Sequence, residues 1–289
     1  MRGDSVNDGA HLTPLIVAVV IGAGALHASW NAIAKQVDDR LMAFAWIGVA
    51  STVSGGVVLL LTGMPASAAI WFAVASAVIH LGYDLALMNT YRLGAFNQTY
   101  PIARGTSPLV VAVGAYFLAS EHLSAAALLG VVTLAAGLIS LAFSSGRLSR
   151  DDLPAVGAAV LTGLTIAAYT IVDGLGVRRA VDPWAYVALL FLLQGPAMTI
   201  VAAIRRPRLA WLDRQTTRRG LLAGVLSVIA YGIVLWAQTR APLAEVAAIR
   251  ETSVVFGAVI GVRAFGESFG RRRVAAAVVI ATGIVLISL

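Results

Sequence analysis

The sequence predicts an all-α integral membrane protein of ten transmembrane helices, arranged as two inverted five-helix repeats. Three observations carry that prediction. The 289 residues are 59% hydrophobic and only 12% charged, far from the composition of a soluble domain. Apolar stretches of about 20 residues, the length that crosses a bilayer as a helix, run almost end to end. Finally, residues 100–143 align without a gap on residues 246–289, and nine of the 44 positions are identical, against about four expected by chance for so apolar a composition. The recurring polar residues are the telling ones: Arg104 with Arg250, Thr106-Ser107 with Thr252-Ser253, and Glu121 with Glu267.

The elements follow in order. A polar leader, 1–14, is too short to fold alone. Span 1 (15–34) is too long for the apolar core of a signal peptide and holds polar residues inside it; His27, Trp30, Asn31 and the following Lys35 share one helical face. Span 2 (41–62) is apolar. Span 3 (70–89) carries His80, Tyr83 and Asp84. Span 4 (95–119) aligns Asn97, Tyr100 and Arg104, with Pro101 and Pro108 bracketing the arginine. A proline frees a carbonyl one turn earlier, so span 4 is expected to bend around Arg104. Span 5 (124–143) has almost nothing polar. The linker 144–152, rich in Ser, Gly, Arg and Asp, separates the first repeat (15–143) from the second (153–289).

The second repeat continues in the same manner. Span 6 (153–173) offers Thr162, Thr165, Tyr169 and Asp173; the last two sit near a membrane boundary, where belt tyrosines are common. Span 7 (184–204) is apolar and leads to a connection, 205–219, with six arginines. Span 8 (220–239) has Ser227, Tyr231 and Gln238. Span 9 (243–264) holds Glu245, Arg250 and Glu251. Span 10 (274–289) is again apolar, and its small residues (Ala275–Ala277, Ala281, Gly283) would permit close packing between two protomers of a homodimer.

Five spans per repeat, an odd number, put the second half into the membrane upside down relative to the first. Charge sets the orientation. The loops after spans 1, 3, 5, 7 and 9 hold 14 basic residues and those on the opposite side four, so the richer side faces the cytoplasm and both termini face out. The net charge of +7 is thus a topology signal with lipid contact as a by-product, and nucleic acid is not an expected partner. The absence of cysteine excludes disulfides and thiol catalysis. Four histidines without metal-ligand spacing, no strained nucleophile turn and no phosphate-binding glycine loop speak against an intramembrane enzyme or direct ATP drive. No cofactor or metal is expected.

A charge in hydrocarbon costs roughly 2.5 kcal/mol or more, so intramembrane polar residues face a cavity or a partner. The candidate substrate-binding residues are Arg104, Arg250, Trp30, Asn31, His27, Tyr83, Tyr100, Tyr169, Tyr231 and Gln238. His80, Asp84 and Glu251 are candidates for proton coupling, the first two as a pair four residues apart. Two readings stand for the arginines: they hold helices together by pairing with carboxylates, or they meet an anionic group of a substrate. Because adjacent residues point apart, any pairing of Arg250 or Glu251 is expected to involve another helix. Glu121 and Glu267, just ahead of spans 5 and 10, read as helix-terminus charges.

The string His27-Ala28-Ser29-Trp30-Asn31 followed by Lys35, together with Arg104…Glu121 and its second copy, resembles the drug/metabolite transporter superfamily, in particular its ten-helix EamA-type members. The likeness covers essentially the whole chain. It implies a central cavity built by helices 1–4 and 6–9, and export or exchange of small metabolites; the polar stripes by themselves put spans 1, 3, 4, 6, 8 and 9 around a cavity with 5 and 10 as outer supports. Two departures qualify it. The loop 63–69 lacks the basic residues that the resemblance leads one to expect, so transport direction does not carry over. Span 1 has no carboxylate of the kind that small multidrug pumps use. The expected function is secondary transport of a small zwitterionic or anionic metabolite, such as an amino acid, organic acid or phosphonate. Flipping of a lipid head group and efflux of cationic drugs are the alternatives.

Overall fold

The computed structural model describes residues 12–143, 149–206, 208–265 and 270–289. Among them every regular element is helical: α1 (Pro14–Lys35), α2 (Arg40–Thr62), α3 (Ser67–Leu93), α4 (Phe96–Ala119), α5 (Ala125–Ala142), α6 (Leu153–Val177), α7 (Pro183–Gln194), α8 (Pro196–Arg205), α9 (Arg214–Gln238), α10 (Leu243–Arg250), α11 (Ser253–Phe265) and α12 (Arg271–Ile287). Single turns of 3-10 helix precede α6 and α9. Among the described residues, eight helical segments are long and apolar enough to cross a membrane, with α7 and α8 counted as one.

Local sequence explains where these helices start. Thr13 accepts a hydrogen bond from the Ile16 amide and Pro14 follows it in the first turn. Asp39, Ser124, Asp182 and Asp213 cap α2, α5, α7 and α9 in the same way. Each side-chain oxygen satisfies an amide that the helix itself leaves open. Ser120, in the left-handed region at φ 55°, ends α4 and turns the chain so that the next residue, Glu121, is buried.

Two expected spans are divided. Span 7 is interrupted at Gly195-Pro196, where proline withholds the amide that would bond back one turn, but its backbone stays helical. Span 9 breaks at Glu251-Thr252. There the amides of Glu251, Thr252, Val254 and Val255 all bond three residues back, a tightened turn that separates α10 from α11. The interruption thus falls in the second copy of the repeat. α4 runs unbroken through both of its prolines.

Packing distinguishes lipid-facing from interior helices. Trp71, Val78, Leu85 and Met88 of α3 stand exposed, as do Leu60 and Leu61 of α2; in a bilayer such surfaces meet acyl chains. The interior contacts come in related pairs. α3 packs on α6 as α9 packs on α1, and α4 packs on α6 as α11 packs on α1, while α2 meets α7 and α5 meets α12. Glycine sets the last of these contacts. A β-carbon at Gly283 would come within 2.7 Å of the Leu134 amide nitrogen, and one at Gly130 would lie as close to the Gly283 carbonyl oxygen. Of the small residues of α12 that would permit packing between protomers, Gly283 packs on α5 of the same chain, while Ala275 and Ala281 stay exposed.

Candidate functional site

The break at Glu251 creates the site. The Glu251 carboxylate is fully buried and is shared by two arginines from the two halves of the chain. Arg104, on α4, places Nη1 3.2 and 3.3 Å from the two carboxylate oxygens. Arg250, at the end of α10, places Nη2 3.2 Å from Oε1. The expectation that pairing here needs another helix holds for Arg104 and fails for Arg250. Neighbours diverge on a regular helix, but the helix stops at Arg250, and the turn swings Glu251 back beside it.

Arg104 Nη2 lies 2.7 Å from His27 Nε2. A guanidinium only donates, so the imidazole accepts there and is neutral. Its other nitrogen, Nδ1, then carries the ring proton. The 3.3 Å approach of the Trp30 indole N–H to Nδ1 places two donors face to face. The shorter, charge-assisted contact wins, and the Trp30–His27 contact is an edge-on ring packing at 5.1 Å. The Arg104 guanidinium also lies over the Tyr100 ring, 5.2 Å from its centre.

Counting charges decides what the cluster can do. Two guanidinium groups and one carboxylate leave one positive charge among residues that are at most 5% exposed. Several polar atoms around it are buried without a hydrogen-bond partner: Arg250 Nε, Thr252 Oγ1 and Ser253 Oγ. α1 approaches this turn so closely that a β-carbon at Gly24 would come within 2.6 Å of Thr252 Oγ1. The arrangement offers an anionic group both a charge and open donors.

A layer of aromatic rings lies beside the arginines. His80 stacks on Tyr169 at 4.0 Å, Tyr83 packs edge-on to Tyr169 at 5.6 Å, and Tyr231 lies 6.2 Å from Tyr169. The charges of Arg104, Arg250 and Glu251 all reach the Tyr169 hydroxyl. The expected His80–Asp84 pair does not form the site: His80 Nδ1 bonds instead to the Ser76 carbonyl at 2.9 Å and hydroxyl at 3.1 Å, one turn back along α3. Asn31 also turns inward, donating to the His27 carbonyl of its own helix at 2.8 Å. Gln238 is fully buried at the end of α9, with both amide atoms unpartnered. The side chain of Asn97 and all of Glu267 lie outside the described residues.

Sequence reasoning missed two further groups. Asp173, read as a boundary residue, is fully buried because α6 continues for another turn to Val177, and it accepts hydrogen bonds from Tyr186 at 2.9 Å and Tyr231 at 2.5 Å. Its position inside an apolar helix was the available signal. Glu121 does not serve α5. It accepts two bonds from the Leu243 amide, at 2.8 and 2.9 Å, and so caps α10, and it pairs with Arg178 at 2.7 Å. Arg178 bonds in addition to the Gln238 and Ala241 carbonyls. Nothing in the sequence around Arg178 announces that role. A separate groove of about 570 Å³ opens where α1 ends and α9 begins, lined by Ile33, Gln36, Arg214 and Arg218 among others; it shares no residue with the arginine cluster.

Eight apolar helices around a buried polar centre define the class: a multi-pass helical membrane protein. Residues 153–289 match the model of the EamA-like transporter family. A crystal structure of a protein 17% identical in sequence aligns over 94% of each chain with a TM-score of 0.74, a likeness of fold that also takes in the first half. No curated protein matches the chain.

Proposed function

We propose that this protein is a secondary transporter that moves a small zwitterionic or anionic metabolite, of the amino-acid, organic-acid or phosphonate kind, by alternating access through a central cavity. One observation carries the substrate class: the buried cluster of Arg104, Arg250 and Glu251 is one positive charge in excess. Such an excess is costly in a membrane interior unless an anion joins it. Trp30, Tyr100 and Tyr169 supply rings around the arginines, and the open polar atoms of Arg250, Thr252 and Ser253 supply orientation.

Ten spans as two inverted repeats organise the cavity in this reading. α10 and α11 together form the ninth span and α12 the tenth. The exchange-related contacts (α3 on α6 with α9 on α1, α4 on α6 with α11 on α1) support it, as does the conversion of the repeated arginines into one shared ion-pair cluster. In this reading the protein sits in a cell membrane, of the bacterial inner-membrane type, and the charge bias of its loops supports an orientation with both termini outside.

The test is a thermal-shift screen of the detergent-solubilised protein against amino acids, organic acids, phosphonates and quaternary cations. A ligand at 100 times its Kd stabilises a folded protein by about 2.7 kcal/mol. Stabilisation by an anionic or zwitterionic compound is expected, and it is expected to vanish in Arg104→Gln while the protein still inserts and folds. Stabilisation by cations alone would overturn the reading of the arginines. A blank across all classes would favour a lipid head group as the substrate.

A further inference from the structure

We propose that Asp173 is a proton-binding site that couples transport to a proton gradient, reached through a relay formed by His80 and Ser76. What the proton drives rests on the transport reading; the site itself does not. Asp173 is 0% exposed and sits among elements from both halves of the chain. Tyr186 of α7 donates to one carboxylate oxygen at 2.9 Å and Tyr231 of α9 to the other at 2.5 Å. The Ser76 hydroxyl of α3, also fully buried, is electrostatically coupled to the same carboxylate, and turning about its Cα–Cβ bond would aim it there. All three are neutral hydroxyls. Glu251 and Glu121, by contrast, are each bonded directly to arginine.

Other ionisable groups near Asp173 sit one layer away. On α3, His80 is within electrostatic range. Its donors Tyr186 and Tyr231 belong to an apolar cluster with Ala69, Ala73, Val177 and Leu235. The charges of Arg104, Arg250 and Glu251 reach the intervening Tyr169, and that of Arg250 reaches His80. A carboxylate without a bonded cation, deep in a membrane bundle, can gain or lose a proton without breaking an ion pair, whereas protonating Glu251 would release two arginines.

The geometry supplies the His80–Ser76 step of the path, and a rotation of the Ser76 hydroxyl would complete it. His80 Nδ1 is 2.9 Å from the Ser76 carbonyl, an acceptor, so Nδ1 carries the ring proton, and it is also 3.1 Å from Ser76 Oγ. A proton from the aqueous phase binds at Nε2 when the cavity is open. The Nδ1 proton then passes to Ser76 Oγ, and the hydroxyl proton of Ser76 passes to Asp173. One N–H bond forms and one breaks, one O–H forms on Asp173, and Ser76 keeps a single proton. Asp173 ends as the neutral acid and His80 as the Nε2–H tautomer; the reverse sequence discharges the proton. Because His80 stacks on Tyr169 at 4.0 Å and Tyr169 borders the arginines, substrate arrival and proton uptake act on adjoining layers.

Two measurements test this on the full-length protein. Infrared difference spectroscopy between acidic and alkaline buffer, taken as the double difference between natural protein and Asp173→Asn, subtracts the other acidic side chains and reads the carboxylic-acid C=O band of this one residue without any substrate. Such a band is expected in the natural protein and is expected to be lost in Asp173→Asn. A band that is absent from the natural protein, or unchanged in the variant, overturns the site. In proteoliposomes, Asp173→Asn is expected to retain substrate counterflow while losing at least tenfold of the accumulation driven by a pH gradient. Accumulation equal to that of the natural protein overturns the coupling. If Asp173→Asn does not fold, Ser76→Ala takes its place: the band persists and gradient-driven accumulation falls, while undiminished accumulation overturns the relay. If the natural protein shows no counterflow with any substrate, the transport reading fails, and the infrared titration still decides the proton site.

Discussion

Glu251 balances only one of the two positive charges beside it, and that asymmetry sets how each substitution in the cluster behaves. Removing one arginine leaves a neutral pair. Removing the carboxylate leaves two buried guanidinium groups facing each other, an uncompensated charge of the kind that costs about 3–5 kcal/mol. Glu251→Gln is therefore expected to lower the thermal unfolding midpoint in detergent well below that of Arg104→Gln. Equal losses, or the reverse order, would mean that Glu251 is not the shared counter-ion. The arginines were legible in the sequence because they recur at the same place in both halves, and matched charges inside apolar segments demand an explanation. Their joint partner was not legible. It depends on the helix stopping at Arg250, and a stop made by three-residue hydrogen bonds, with neither glycine nor proline, leaves no clear mark in sequence. Asp173 was underrated for a related reason: the apolar run was taken to end at it, whereas α6 continues to Val177 and buries it.

Helix packing shows the same mixture. The ten apolar runs foretold most of the elements, because hydrophobic length is the constraint that a bilayer imposes. What they face depends on glycines that hydropathy does not resolve. Gly283 and Gly137 stand where α5 and α12 touch, with Leu134 and Ile280 atoms within 3 Å of where a β-carbon would lie. At Gly283 the obstacle includes backbone, which has no side-chain freedom to yield. Gly283→Val is expected to destabilise the protein by about 1–3 kcal/mol, as overpacking does. Gly22→Ala is the control: nothing lies within 4 Å of its added carbon, and alanine is the better helix former by about 1 kcal/mol, so no loss is expected. Both are read as shifts in thermal unfolding. A harmless Gly283→Val would mean that α5 and α12 are not held together at this contact.

For the whole molecule, the two ends of the bundle are fastened by different means, and alternating access requires that they open one at a time. At one end Arg206 bonds Asp39 at 2.7 and 3.1 Å, and Arg219 reaches the Gln36 carbonyl. The hydrogen bond from Arg206 holds the Asp39 carboxyl below its ordinary range. A lowered carboxylate stabilises the fold above its unfolded value, near 4, and that contribution is lost only as the pH falls through the lower folded value. Near neutral pH this pair is therefore constant. Both partners are more than a third exposed, so screening keeps its worth below about 1 kcal/mol. At the other end Arg178 binds buried Glu121 and two carbonyls, and Glu121 caps α10, so one side chain ties the ends of α4, α6, α9 and α10. Breaking the second fastening releases more. The chain contains no cysteine, so a single Gln238→Cys reports on that end without background. Gln238 is fully buried; a membrane-impermeant thiol reagent applied to intact cells is expected to label the cysteine slowly in otherwise natural protein and at least several-fold faster once Arg178→Ala is added. Arg206→Ala is expected to leave that labelling unchanged or to slow it, because loosening the opposite end favours the state closed here. Faster labelling with both changes would mean that the two ends open together, which is a channel's behaviour and incompatible with alternating access. Labelling only from the cytoplasmic side would reverse the orientation that the arginine-rich loops assign.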